Sequence, residues 1–382
     1  MNFHLTGEQE LIRKTARRFA EKHLAPGVIM RDEKAEFPAQ QIRMMGKLGF
    51  LGMMVPEKWN GAGLDTVSYV IAIEEISRVD ASAGVVMSVN NSLVCQLLVD
   101  WANEQQCEKY LTKLATGELL GAFSLSEPQS GSDASNMRTY AVKKGGDYIL
   151  NGTKNWVTNG IHSGVVIVFA ITQKGIGYKG ISAFIVEKGT PGFSTGKKED
   201  KLGIRGSDTC ELYFEDCHVP AANLIGEEGL GFRIALHTLD GGRIGIASQA
   251  LGIAKAALDH SIDYAKERKQ FGKPIAQFGA VQSKIARMAT RVDAARLLIW
   301  RAAKLKDERK SYVKEASMAK LFASQTAVDA ARECVQIHGG YGYMQEYGVE
   351  RLMRDAKITQ IYEGTSEIQE MVIAREVLKG NG

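Results

Sequence analysis

At 382 residues the chain is long enough for two or three packed units of roughly 150 residues each. Apolar residues make up 45% and charged residues 24%, which excludes wholesale disorder and supplies material for a sizeable core. The net charge of +4 comes from 48 basic and 44 acidic side chains interspersed along the chain, so no nucleic-acid platform is indicated. A mildly basic surface suits anionic small molecules or an acidic protein partner.

The longest unbroken apolar run, Val165 to Ile171, is far too short for a membrane span. The opening Met1 to Glu8 has neither signal-peptide nor transit-peptide character, so the expectation is a cytoplasmic protein, or an organellar one already processed. The five cysteines are widely spread and never spaced CxxC, which points to reduced, buried thiols and to no metal site.

In chain order, Thr6-Gly7-Glu8-Gln9 reads as a capping box, in which the Thr hydroxyl takes an orphan amide and Gln9 reaches back. Ile12, Ala16, Phe19, Ala20 and Leu24 then line one helical face. Pro26, Pro38 and Pro56 punctuate this part, Asn60 to Gly63 reads as a loop, and helical patterns resume at Ser68–Arg78 and Asn103–Leu114. From about Gly121 the period changes to two. Tyr148-Ile149-Leu150 runs into Asn151-Gly152, which predicts a tight hairpin there; apolar strands at 165–171, 181–186 and 209–214 follow. This spacing predicts a small antiparallel barrel or sandwich. After Gly226 four long amphipathic windows, near 245–268, 278–307, 313–338 and 366–379, predict a helical bundle. The expected units are therefore 1–120 (helical), 121–225 (β) and 226–382 (four-helix bundle).

Gly175-Ile176-Gly177-Tyr178-Lys179-Gly180 fits the dinucleotide fingerprint GxGxxG, but that chemistry needs a helix directly afterwards, and a strand pattern follows instead. A hairpin loop is the better reading. Leu125-Ser126-Glu127-Pro128-Gln129-Ser130-Gly131-Ser132-Asp133 reads either as a Ser/Gly-rich linker or as a loop that hydrogen-bonds a planar cofactor or an anion. Trp156 and Thr158 share one strand face; they are either packing residues or the flank of an aromatic ring system. Arg268, near a helix end, either complements the helix dipole or offers its fork to a pyrophosphate. His338 to Gly342 is either a C-cap or backbone left bare for a ligand. Asp240-Gly241-Gly242-Arg243 reads as a turn whose acid and base pair with each other or hold a substrate. In Ile361-Tyr362-Glu363-Gly364-Thr365-Ser366-Glu367 a carboxylate precedes a helix cap, where glutamates are usually solvated.

Taken jointly, these stretches resemble the acyl-CoA dehydrogenase family, above all its short-chain (butyryl-CoA) members. The resemblance runs along essentially the whole chain and is most specific at Leu125–Asp133, at Gln336–Asp355 and at Tyr362-Glu363-Gly364-Thr365. It implies a mainly α fold with a β-barrel middle domain and a C-terminal four-helix bundle, FAD as cofactor and a homotetramer. Phe123, Leu125, Ser126, Gly131, Ser132, Trp156 and Thr158 would surround the flavin; Arg268, Gln270 and Phe271 from a neighbouring subunit would meet its pyrophosphate and adenosine side; Gln336, Gly340, Thr365 and Glu367 would complete the site. Ser132, Asp240, Arg243, Tyr362 and Gly364 would line the acyl-CoA channel, and Glu363 would be the general base.

The implied activity is α,β-desaturation of an acyl-CoA with an electron-transfer flavoprotein as electron acceptor; the alternatives are an acyl-CoA oxidase using oxygen and a catalytically silent structural homologue. In the isovaleryl and long-chain branches the base stands just before the arginine of the Asp-Gly-Gly-Arg region, where this chain has Gly242. Where glutaryl-CoA members have an arginine for a distal carboxylate, it has Gly84. Gln129 and Ser130 replace small residues, Gly279 replaces a glutamine that often contacts adenosine, and Asn90-Asn91 makes the expected acyl end polar, leaving room for a cyclic, branched or hydroxylated tail.

Overall fold

The computed structural model describes residues 4–380. The N-terminal part is helical: α1 (Gly7–Phe19), α2 (Val28–Glu33), α3 (Ala39–Lys47), α4 (Thr66–Val79), α5 (Ala81–Ser88), α6 (Gln96–Trp101), α7 (Glu104–Gln106) and α8 (Thr112–Thr116). The capping box at the start of α1 forms as expected: Thr6 Oγ1 accepts from the Gln9 amide at 3.2 Å while Gln9 Oε1 accepts from the Thr6 amide at 3.1 Å. A π turn over Val89–Cys95 welds α5 to α6, so that Ala81–Trp101 is one continuous helix. By length and composition that helix could cross a membrane, but 89% of its apolar window is buried inside the protein. It is the core helix of this part.

The π turn also answers the question raised by Asn90 and Asn91. Asn90 donates to Leu51 O at 2.8 Å and to Leu114 O at 3.1 Å and accepts from the Gly121 amide; Asn91 donates to Phe50 O and Met87 O and accepts from the Met53 amide. Both are fully buried and spent on backbone groups that would otherwise be orphaned. Their amides are therefore engaged by the protein's own backbone.

The middle part contains β1 (Gly121–Ser124), β2 (Tyr140–Lys144), β3 (Asp147–Thr158), β4 (Val165–Ile171), β5 (Ile181–Glu187), β6 (Phe193–Thr195), β7 (Thr209–Val219) and β8 (Leu224–Ile225). They form one open sheet in the order β6-β7-β3-β2-β4-β5-β8, with β1 added beside β4, rather than the expected closed barrel. The β2–β4 junction is a single residue pair, Tyr140 with Ile171, so the sheet folds there and its halves pack on each other. Along β4, Val166 and Val168 enter that inner core, while Ile167 and Phe169 join the larger core shared with the helices. Burial on both faces explains why this strand reads as an unbroken apolar run.

The predicted hairpin at Asn151-Gly152 does not form. β3 continues through it, and the turn lies at Gly145-Gly146, where φ values of +61° and +98° cost glycine nothing. Asn151 instead hydrogen-bonds across to Asp216, a bulged residue of β7. The GxGxxG stretch does close a hairpin, between β4 and β5.

The C-terminal part comprises α9 (Gly231–Glu267), the short strands β9 (Lys269–Gln270) and β10 (Lys273–Pro274), α10 (Gly279–Asp307), α11 (Val313–His338), α12 (Val349–Ile358) and α13 (Ser366–Leu378). The three long helices pack mutually, α4 lies along α9, and α13 docks mainly on α11. The Asp240–Arg243 segment is not a turn. It lies inside the 37-residue α9, where packing overrides the roughly 1 kcal/mol helix cost of each glycine.

Candidate active site

The loop between α12 and α13 carries Tyr362, Glu363 and Gly364. Glu363 has φ +51° and Gly364 φ +93°, so a glutamate is held in a region that side-chain-bearing residues rarely adopt. Strain of this kind costs about 1–3 kcal/mol and persists only where surroundings impose it. Here they do. Gln369 donates to the Glu363 and Gly364 carbonyls, Lys320 donates to Gly364 O at 2.6 Å, and a side chain on Gly364 would collide with Gln369. Thr365 caps α13 by accepting from the Ile368 amide at 3.4 Å, with Glu367 exposed in the first turn.

The glutamate is thereby turned inward onto Gly242 of α9. A Cβ at Gly242 would overlap Glu363 Oε2 and crowd Leu93 of the π turn, so the carboxylate occupies the space a side chain there would need. Although part of the residue reaches solvent, Oε2 itself is buried with no hydrogen-bond partner. Burial pushes the carboxyl up to about 8, against the opposing pull of Lys320 and then Arg243. A carboxyl of that kind, with one free oxygen, is poised to exchange a proton near neutrality. Arg243 in turn is held by Asp240 at 2.6 Å and by Ser317, and the Tyr362 hydroxyl donates to Gln249. Tyr362, Glu363 and Gly364 thus lie against the part of α9 that carries Asp240 and Arg243. Gly242→Ala is expected to keep the fold and displace the carboxylate, lowering kcat by about 10²-fold; steady-state turnover at unchanged flavin content checks this.

A second group forms where β1 meets β3. The Asn155 amide donates to Ser126 O at 2.9 Å, which sets Leu125-Ser126 beside Trp156 and Thr158. Lys154, 0% exposed, donates to Leu125 O at 3.0 Å and pairs with Glu127 at 2.9 Å; Glu127 also accepts from the Arg138 and Thr139 amides. Burial opposes the charge on Glu127, but Lys154 and those donors outweigh it and bring it down to about 2. Trp156 sits in a bulge with φ +60° and is 62% exposed, an indole displayed rather than packed. Phe123 is half-buried against Phe169, and Gly131 and Ser132 are exposed on the following loop. The π turn bridges this cradle to the base: Val94 presses on Gly121 of β1 and Leu93 on Gly242.

The third group lies wholly within the C-terminal part, on its helices and the short segments that join them. A cavity of about 450 Å³ is lined by Tyr264, Arg268, Gln270, Ile275, His338, Gly339, Gly340, Tyr341 and others, with the Arg268 guanidinium over the Tyr341 ring. Gly339 and Gly340 present open backbone. Phe271 projects at 92% exposure, and Gln336 is exposed on the last turn of α11, outside the lining residues. Open space surrounds Gly279.

Sequence reasoning missed Lys320, Lys154 with Glu127, and Gln249. The signals were present: Lys320 stands on the buried alanine face of α11, and Lys154 shares the inward parity of Tyr148 and Leu150 on β3.

Family models named for the N-terminal, middle and C-terminal domains of acyl-CoA dehydrogenase match residues 6–118, 122–217 and 229–378. An acyl-CoA dehydrogenase of Bacillus subtilis is 55% identical over 377 residues, covering 99% of this chain and 100% of that protein. The structure of butyryl-CoA dehydrogenase from Megasphaera elsdenii superposes with a TM-score of 0.98 at 48% identity over 99% of this chain and 100% of that one. A chain in a structure described for the electron-transferring flavoprotein of Acidaminococcus fermentans also scores 0.98, at 51% identity over 99% and 100%. With models over all three parts and full-length relatives near half identity, the chain belongs to the acyl-CoA dehydrogenase family.

Proposed function

We propose that this protein is a FAD-dependent dehydrogenase that converts a short-chain acyl-CoA to its α,β-enoyl thioester with Glu363 as general base. The observation that carries the reading is the Glu363 carboxylate, buried over Gly242 with a free oxygen and a raised pKa. The residues present fit the flavin: an exposed indole on a strained bulge beside the Ser126 and Thr158 hydroxyls at one end, and an arginine with bare glycine backbone around a cavity at the other. Phe123, Leu125, Ser126, Trp156 and Thr158 would hold the ring system, with Gly131 and Ser132 on the covering loop; Arg268, Gln270, Phe271, Gln336 and Gly340 would serve the pyrophosphate and adenosine, and Thr365 and Glu367 the edge near the base. When bound, FAD supplies the acceptor for the hydride that leaves the substrate β-carbon.

Glu363 takes the α-proton. Its own amide has no acceptor among the described residues, which leaves it for the thioester oxygen, where a preorganised donor is worth roughly 3–4 kcal/mol. Asp240, Arg243, Tyr362, Gly364 and Ser132 would line the thioester's path. The absence of an arginine at Gly84, and the use of Asn90 and Asn91 on backbone, favour a plain short tail.

An electron-transfer flavoprotein is the proposed acceptor, supported by the likeness to the Acidaminococcus chain. A homotetramer is supported by Phe271 and Tyr343, apolar rings left 92% and 82% exposed beside the cavity residues. Units of 1–120, 121–225 and 226–382 belong to the same reading. Anaerobic bleaching of the flavin by butyryl-CoA tests the proposal; a flavin-loaded protein that no acyl-CoA bleaches would overturn it. Arg268→Ala is expected to lower flavin content and weaken the oligomer together, measured by absorbance ratio and sedimentation.

A further inference from the structure

Lys320 stands in the third turn of α11 with a fully buried side chain, yet no carboxylate lies within ion-pair distance of it among the described residues. Burying an unpaired ammonium is costly, so its charge needs a use. Its single described hydrogen bond goes to Gly364 O at 2.6 Å, one residue past Glu363. The groups facing Glu363 can be named element by element. From α9 comes Arg243, already taken by Asp240 at 2.6 Å. From α4 comes the Tyr69 hydroxyl, which donates to Ser88 at 3.1 Å, and from its own loop the Tyr362 hydroxyl, which donates to Gln249. From α11 comes Lys320, on which Glu367 of α13 also acts. Among the described residues Lys320 is therefore the cation facing Glu363 that has no other carboxylate within ion-pair distance, although Glu367 also acts on it from further away.

We infer that Lys320 is a positioning residue for the reaction proposed above: its ammonium supplies the countercharge that lets Glu363 ionise in its buried slot, and its hydrogen bond to Gly364 O pins the strained backbone that aims the carboxylate. The inference rests on the reading of Glu363 as the base.

The electrostatics run in the same direction. Burial drives each partner toward its neutral form, Glu363 up to about 8 and Lys320 down to about 7, while each holds the other charged. Two groups that perturb each other in this way titrate as a pair. Only the state in which Lys320 keeps its proton while Glu363 has lost its own leaves the carboxylate able to accept one from substrate. A base must be unprotonated, so kcat/KM rises with pH through its ionisation. Loss of the ammonium removes a force that favours the carboxylate, so the acidic limb must move to higher pH.

The test uses the flavin-loaded Lys320→Met enzyme. The acidic limb of kcat/KM is expected to rise by about one pH unit or more. The protonated-carboxyl infrared band assigned to Glu363 by its absence in Glu363→Gln should titrate with the same displacement. Lys320→Arg, which keeps the charge, is expected to leave both near the wild-type position even if kcat falls, and it carries the test alone should the methionine variant lose its flavin. A limb and a band unmoved in Lys320→Met at normal flavin content, or moved in Lys320→Arg, would overturn the inference. Rapid flavin bleaching in Glu363→Gln would instead remove the underlying assignment of the base, so the two failures are separable.

Discussion

Replacing Glu363 with Gln is expected to lower turnover by about 10²–10⁴-fold while flavin and acyl-CoA binding stay close to wild type. The amide keeps the volume that fills the slot over Gly242, so the strained loop and the α13 cap should survive. What disappears is the proton acceptor; of the nearby carboxylates among the described residues, Asp240 is committed to Arg243 and Glu367 is exposed on the first turn of α13, while position 242 has no side chain. Stopped-flow reduction of the flavin by butyryl-CoA measures the loss at the chemical step. A reduction rate within a few-fold of wild type would refute the assignment.

Lys154→Met should be the most damaging substitution away from the base. Lys154 and Glu127 are 0% and 2% exposed, and they tie Leu125, at one edge of the cradle, to the strand that carries Trp156. Burial lowers Lys154 to about 8, and Glu127 falls to about 2, so the strain on one partner roughly offsets the gain of the other and the intact pair adds little net stability. Removing one member is different, because the remaining charge is stranded; the cost is about 3–5 kcal/mol. A clear drop in the thermal midpoint with loss of flavin is expected, and Glu127→Gln in the same chain should restore part of both. Because the folded pKa of Glu127 lies below its ordinary 4.5, its share of stability is present above that value and disappears as pH falls toward about 2. Denaturant titrations of wild type and Glu127→Gln across that window should converge at the acid end.

Local rules carried the reading wherever one residue's chemistry decided the outcome. The capping box at Thr6 and Gln9, the rejected GxGxxG stretch and the apolar run of β4 are of this kind, since each depends on neighbours in sequence. The failures share another cause. Asn151-Gly152 is a sound turn signal locally, but Asn151 finds a partner in Asp216 and two glycines a few residues earlier make the better turn. Gly241-Gly242 looks like a helix breaker until the Glu363 carboxylate is seen filling the gap above it. The open, folded sheet differs from a barrel only in whether its edge strands pair, which periodicity does not encode. Among candidate site residues, those in Gly-flanked motifs carried ambiguous local signals, and their roles were readable only through the family resemblance. Lys320 and Gln249 sit inside long helices, where one polar letter on a buried face is easily taken for a surface position.

The apolar helix Ala81–Trp101 has a consequence for biogenesis. Its covering includes α9, which begins at Gly231, so at least about 130 further residues must leave the ribosome before that cover exists. At 5–20 residues per second this is roughly 6–26 s during which a greasy rod of spanning length is incompletely sheathed. Nascent chains of this protein should therefore recruit a holding chaperone in that interval, and arrest between residues 101 and 231 should be the point at which they aggregate most readily.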